Sequence, residues 1–327
     1  MVRSQHRRPG LRFAGSMMLS GWVCVCLGCA SSPSSPDVER VAPAVTPEAP
    51  AGSELSPLAD DEAALRAMSG VYDVSIVVSG SGGLVEDRRG TSVSAREAVI
   101  VEPGAASGQW VMEHLLLVGE PAAVARHWSS TWTPTPSGTW RVVEAEADGR
   151  PNSTVMGRWT HEALPGADTG DGARAATVSR FVPEAGSVRA VTTRSPGLAG
   201  LEGRWWASTV VRVGPGVGWT RTTEGQLLGN EGRPRGGSVT RTEAYAPVAQ
   251  GGESAWAAAQ AWWSERRAFW SAVRAWWEVR GTVEFADVVA GVPMWRAVLD
   301  LEAAVRRGQA VADPATLDAV LGAYVVE

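Results

Sequence analysis

The sequence predicts a mainly β protein with C-terminal helices, an α+β class. An antiparallel meander closes into a lipocalin-like barrel, or bends into a strongly curled sheet, and one long Trp-rich helix packs it. Three observations predict this. From Val71 to about Ala246 the chain runs in short apolar–polar alternations separated by Gly, Pro and Asp, the pattern of strands joined by brief loops. So many strands in succession leave edges that closure removes most simply. From Ser254 the pattern becomes helical, with Trp256, Trp263, Trp270 and Trp277 at every seventh position. Composition fits a chain with a core: 44% of residues are hydrophobic and 20% charged.

The chain opens with a basic segment carrying Arg3, Arg7, Arg8 and Arg12, followed by an apolar run from Met17 to Leu27. That run has the length of a signal-peptide core and is too short to span a membrane. It ends in Leu27-Gly28-Cys29 and resembles a bacterial lipobox, with Cys26 where such boxes usually carry Leu. The resemblance implies a signal peptide over 1–28, lipidation of Cys29, and Ala30 as an outer-membrane sorting residue. The expected place is the cell envelope, on the outer membrane facing the periplasm. Of the three cysteines, Cys24 and Cys26 precede the cleavage point, so no disulfide, thiol nucleophile or thiolate metal site is expected. Residues 29–59 are rich in Ser, Pro and Ala and read as a disordered tether.

The barrel domain is expected over 60–250. Asp60 or Asp61 is placed to cap a short helix carrying Leu65 and Met68, ended by Gly70. Strands are expected at Val71–Ser79, Thr91–Val101, Gln109–Val118, Val124–Thr133, Trp140–Ala147, Thr154–Glu162 and Ala176–Val182. Further ones are Ser187–Thr193, Trp205–Val213, Gly218–Thr223 and Ser238–Tyr245, with a mobile loop at Gly229–Gly237. The segment 251–327 is expected to be helical and packed on the barrel. Trp262, Phe269 and Trp276 repeat one position before the other Trp row. At about 100° per residue the two rows form one broad aromatic face. Arg274 falls on that face, placed for cation–π contact. Ala257, Ala258, Ala261, Ser264, Ala268, Ala272 and Ala275 make the opposite face small, which suggests contact on both sides. Thr282–Phe285 reads as a strand, Pro293–Arg307 as a second helix, and Asp313-Pro314 as a cap opening a last helix to about Tyr324.

Net charge is −5 and every basic residue is Arg, so no footprint for nucleic acid is present. No P-loop, GxGxxG or nucleophile-elbow signature occurs, and Ser79-Gly-Ser81-Gly-Gly83 sits between strands as a hairpin loop would. His114, His127 and His161 lie in one part of the β region, without metal-ligand spacing. By strict alternation Arg126 shares a face with Trp128 and Trp132, and His127 shares the other with Ala125, Ser129 and Thr131. Arg126-His127-Trp128, with Trp132 beyond, is the densest polar–aromatic constellation. It fits a pocket wall for an amphipathic ligand, or plain guanidinium stacking at a barrel rim. Glu144 and Glu146 share a face by parity and read as solvated.

Several of these stretches, taken together, resemble a family of secreted bacterial proteins, domain-of-unknown-function family 6607. They are Ala67-Met-Ser-Gly-Val-Tyr-Asp73, Glu113-His-Leu-Leu-Leu-Val118, Arg126-His-Trp-Ser-Ser-Thr-Trp132, Gly157-Arg-Trp-Thr-His161 and the Trp-rich helix. The resemblance runs from about Asp61 to Arg307. It implies no activity, and it adds weight to His114, His127, Trp128 and Trp132. It also shows a departure: Arg189-Ala-Val-Thr-Thr-Arg194 and Trp219-Thr-Arg-Thr-Thr-Glu224 lack a His and several charges of the family pattern.

The expectation is a binding protein holding an apolar or amphipathic small molecule in the barrel. Its lining would draw on His114, Arg126, His127, Trp128, Trp132, Trp159 and His161, with no catalytic set, metal or cofactor, and with the membrane as partner through Cys29. Two alternatives stand: an assembly partner docking through the aromatic helix, and a hydrolase or metal-dependent enzyme using His114, His127 or His161.

Overall fold

A computed structural model describes residues 57–80, 91–119, 122–163, 177–184, 188–189, 205–214, 218–227, 237–280 and 284–326. All belong to one unit, Ser53–Glu327. The expected signal peptide, Cys29 and nearly all of the tether lie outside these residues. So do Ser81–Gly83, most of the Gly229–Gly237 loop, and the stretch 190–194.

Helix α1 (Pro57–Ala67) precedes strands β1 (Gly70–Gly80), β2 (Thr91–Pro103), β3 (Trp110–Val118), β4 (Ala123–Pro134), β5 (Trp140–Ala145), β6 (Pro151–Ala163) and β7 (Thr177–Pro183). A two-residue β8 (Val188–Arg189) follows, then β9 (Trp205–Gly214), β10 (Gly218–Leu227) and β11 (Val239–Pro247). Neighbours pair antiparallel, β7 pairs β9, and β11 pairs back to β1. Ten strands therefore close a barrel. The expected strand at Ser187–Thr193 is outside that ring: its described part, β8, pairs only with the first residues of β9.

Alternation sorts the side chains. Inward positions of β1–β7 include Tyr72, Val74, Val99, Trp110, Met112, Trp132, Trp140, Val142, Val155, Trp159 and Phe181, which form one buried cluster with Val211, Val213, Trp219 and Tyr245. Gly157 permits this filling, because a Cβ there would stand 2.4 Å from the Phe181 ring. Outward positions of the far strands carry exposed Arg141, Arg158, Arg180, Arg212 and Glu224, the composition of a water-facing sheet.

Helix α1 closes the end of the barrel where β1 begins, with Ala64, Leu65 and Met68 in the interior cluster. Neither Asp60 nor Asp61 is the cap that was expected, because the helix starts at Pro57. Asp61 instead turns inward, 5% exposed.

Helix α2 (Gly252–Arg280) crosses the outside of β1–β4. A second cluster joins its Trp263, Phe269, Trp270, Val273, Trp276 and Trp277 to Val71, Ala98, Ile100, Leu115 and Leu117 of the sheet and to α3 (Met294–Arg306) and α4 (Pro314–Leu321). The aromatic face thus divides between two partners: Trp263 donates to Glu102 of β2, and Trp276 to Asp318 of α4. Trp256 and Trp262 are half-buried. With the other indoles of the rows buried, the docking-face alternative lacks the broad exposed indole surface it requires. Among the described residues the small face is mostly uncovered: Ala257, Ala261, Ser264, Ala268 and Ala275 face solvent, while Ala258 and Ala272 are half-buried. Arg274 pairs with Glu113, and the cation over Trp270 is Arg126, at 4.3 Å.

Asp313 caps α4 by accepting from the Thr316 amide at 2.8 Å, and a 3-10 turn at Gly322–Tyr324 finishes the chain's helices. Short pairs join Glu284–Phe285 to Val325–Val326 and Val288–Val289 to Val292–Pro293. Among the described residues no helix is long and apolar enough to cross a membrane.

Candidate functional site

The interior of the barrel holds two chemically different zones. Around Trp132, Trp159 and Phe181 near α1 it is aromatic, with ring centroids 5.0–5.7 Å apart. Further along the strands it is polar, and the organising residue is Glu97 on β2.

Glu97 is 1% exposed. Its Oε2 accepts from His114 Nδ1 at 3.1 Å and its Oε1 from His127 Nδ1 at 2.8 Å. Burial raises the Glu97 carboxyl, but hydrogen bonds from the two imidazoles outweigh this and hold it at about 2. Burial lowers His114 below the ordinary imidazole value, and Glu97 offsets only part of that. A carboxylate can only accept, so the neutral His114 carries its proton on Nδ1. Its Nε2 is then a bare lone pair, buried and without a partner.

A β-bulge brings the second imidazole in. The β3–β4 register shifts between His114 and Leu115, pairing His114 with Trp128 and Leu115 with Arg126, so His127 is the extra residue. Strict alternation fails there. Trp128 faces inward and stacks on His114 at 3.6 Å, and His127 reaches inward to Glu97. Arg126 points outward, away from Trp128. Its guanidinium donates to Glu113 at 2.9 Å and to the carbonyls of Glu146 and Ala147 at 2.7 and 2.9 Å. Arg126 fastens the barrel to α2 rather than lining the interior.

A second ionic group faces the same space. Arg221 on β10 lies 4.6 Å from the Trp128 ring, pairs with Glu144 and approaches Glu243 at 3.5 Å. Burial lowers Arg221, but the charges of Glu144 and Glu243 more than reverse it, so the guanidinium stays charged. Arg241 pairs with Glu243 at 2.6 Å. Tyr245 donates to Glu243 and stacks on Trp219 at 3.6 Å; burial pushes its hydroxyl well up. Burial also pushes the Tyr72 hydroxyl up to about 12, and the Trp219 indole N–H approaches that hydroxyl without closing a hydrogen bond. Glu144 is thus an interior residue, bonded to Ser153 at 2.7 Å. Glu146 lies past the end of β5 and accepts from Asn152 at 2.9 Å.

His161 is separate from the other two imidazoles. Its Nε2 donates to Asp61 at 2.8 Å and its Nδ1 meets the Ser179 hydroxyl at 2.9 Å. The structure therefore gathers His114, His127 and Trp128 around Glu97, and places Trp132, Trp159 and His161 beside α1. Among the described residues no three His, Cys, Asp or Glu side chains are placed to hold a metal ion.

Between the zones lies a cavity walled by Met68, Met112, Trp128, Trp132, Trp219 and Arg221, with Val142, Val155 and Phe181 behind. Its volume is about 20 Å³, room for one or two waters.

Glu97, Arg221, Glu243 and Tyr245 were missed in the sequence, where Asp61 was placed as a cap and Glu144 on a solvated face. A signal existed for some of them: Glu97 holds the parity of Ala95 and Val99, and Arg221 and Glu243 that of Trp219 and Tyr245. No family model matches the chain, and neither a curated protein nor a solved structure matches it.

Proposed function

We propose that this protein is a carrier that holds an apolar or amphipathic small molecule inside its barrel. The observation that carries this reading is a barrel interior that is aromatic toward α1 and hydrogen-bonding around Glu97, with a cavity between the two parts. A site of that kind buries an apolar body and orients it by a few polar contacts. Lipidation at Cys29, with the tether beyond it, would place the barrel at the outer membrane, where such molecules concentrate.

Titration of the intrinsic Trp fluorescence with fatty acids, phospholipid and lipid A-like amphiphiles tests the reading. Saturable quenching or a blue shift that Trp128→Phe weakens supports it. A flat response across the series, in the parent and equally in Asp61→Asn and Leu65→Ala, refutes it.

A second reading has one specific observation behind it. Glu97 orients His114 with a free Nε2, the arrangement of a general base held in one tautomer. It competes with the first only if a substrate group reaches Nε2. A bell-shaped or sigmoid pH dependence of hydrolysis, lost in His114→Phe, would favour it.

A further inference from the structure

The cavity is too small to admit a ligand as it stands, and what fills the adjoining space is α1. Leu65 is 0% exposed and Met68 1% exposed within the aromatic zone, and Met68 forms part of the cavity wall. Asp61 of the same helix enters with them. Its Oδ2 accepts the Trp140 indole N–H at 2.6 Å and its Oδ1 accepts from His161 Nε2 at 2.8 Å. Carboxylates rarely lie this deep without compensation, and here both oxygens are met by interior donors. The helix itself is short, 11 residues, below the length at which isolated helices persist in water. Packing holds it in place.

We propose that α1 is a displaceable occupant of the binding site, and that the ligand is an apolar molecule ending in a carboxylate. The inference rests on the carrier reading above. Read as a ligand, α1 with Met68 just after it presents an apolar body (Ala64, Leu65 and Met68) and one carboxylate (Asp61). Its departure uncovers two donors, Trp140 Nε1 and His161 Nε2, together with the rings of Trp110, Trp132 and Trp159. A fatty acid restores both kinds of contact; an alcohol of the same length restores the apolar part and leaves the paired donors without a charged acceptor. Because the competent state is the one with α1 withdrawn, apparent affinity is reduced by the fraction of molecules in which it is withdrawn. Loosening α1 therefore tightens apparent binding, the reverse of what loss of an ordinary wall residue does.

The experiment uses the full chain with cis-parinaric acid and the corresponding alcohol as fluorescent probes, and hydrogen exchange on the same samples. Asp61→Asn is the mild variant, keeping size and an acceptor; Leu65→Ala weakens the apolar hold. Each should lower the apparent Kd for the acid by about tenfold. The acid should bind the parent about tenfold better than the alcohol, a preference lost in Trp140→Phe. Amides of 61–68 should lose protection on saturation while those of β3–β6 keep theirs. Probe binding that is indifferent to Asp61 and Leu65, with α1 still protected, overturns the displacement and leaves the carrier reading standing. Absence of binding in the parent and in both loosened variants overturns the carrier reading itself, and the inference with it.

Discussion

Replacing Glu97 by Gln tests which of two opposed effects controls the polar zone. Burial alone would make this carboxylate a liability, and removing its charge would stabilise the fold. The imidazoles act the other way, and the carboxyl held at about 2 instead of the usual 4.5 says that they win. That difference corresponds to roughly 3 kcal/mol of stability. Hydrogen-bond counting reaches a similar figure. Two bonds to a charged acceptor are worth about 1.5–3 kcal/mol each, against about 1 for neutral ones. Gln accepts from one imidazole only and turns its amide N–H toward the other, so the loss is on the order of 2–4 kcal/mol. Linkage fixes the pH window. The unfolded chain protonates Glu97 near its ordinary value while the folded chain resists to about 2, so this stability is complete above about 4.5 and is lost as pH falls toward 2. His114, lowered from 6.5 by burial, adds a decline below about 6.5, because there the unfolded chain takes up a proton that the folded chain refuses. Urea unfolding read by near-UV circular dichroism at several pH values measures both. The Gln variant should be roughly 3 kcal/mol less stable at pH 7, and the two curves should converge as the medium is acidified below 4.5. A variant as stable as the parent at pH 7, or curves that stay parallel into acid, would refute the reasoning.

Other perturbations have definite signs. Gly157→Ala places a methyl group against the Phe181 ring and should cost about 1–3 kcal/mol in urea unfolding. Glu113→Leu strands Arg126 and Arg274 beneath α2, where Glu113 is 0% exposed; a loss of about 3–5 kcal/mol is expected by the same assay. Arg126→Ala should lower the melting temperature while leaving probe binding in the barrel unchanged, since its guanidinium is spent on Glu113 and two carbonyls outside. Asp313→Ala removes the α4 cap and should loosen the helix start, seen as faster amide exchange in residues 315–317.

Much of the architecture was legible, and the reasons are local. Strand parity needs only neighbouring residues, so every member of the ring could be placed from alternation and turn chemistry. The Trp repeat of α2 fixed a broad buried face in the same way. What that repeat could not show is which neighbour each row meets, because Trp263 answers to Glu102 on β2 and Trp276 to Asp318, residues far away in the chain. The alanine face misled for a related reason. Small residues suit close helix contact, but they also suit plain helical propensity on a wetted side, and here most of them face water. Asp61 looked like a cap because capping is what an Asp at a helix start most often does; its actual partners, Trp140 and His161, come from strands that only the closed barrel brings to α1.

The site was half legible, and one backbone irregularity separates the two halves. Parity read through β4 puts Arg126 with Trp128 and His127 with Ser129. The single extra residue at His127 breaks that parity on one side of it. Arg126 is thereby turned out to Glu113 and α2, while His127 and Trp128 both come inward, one to Glu97 and the other onto His114. A bulge of this kind leaves no mark that periodicity can detect, since the flanking segments each alternate correctly. The charges gave a partial warning. An inward Arg126 would have added a guanidinium to an interior that already holds Arg221 and Arg241 against Glu97, Glu144 and Glu243. Outside, it meets the buried Glu113, which no other residue of β3 or β4 compensates. Charge pairing thus favours the bulged register, and the same shift builds the polar zone: without it Glu97 would accept from one imidazole, and its carboxyl would lack half of what holds it ionised in the barrel.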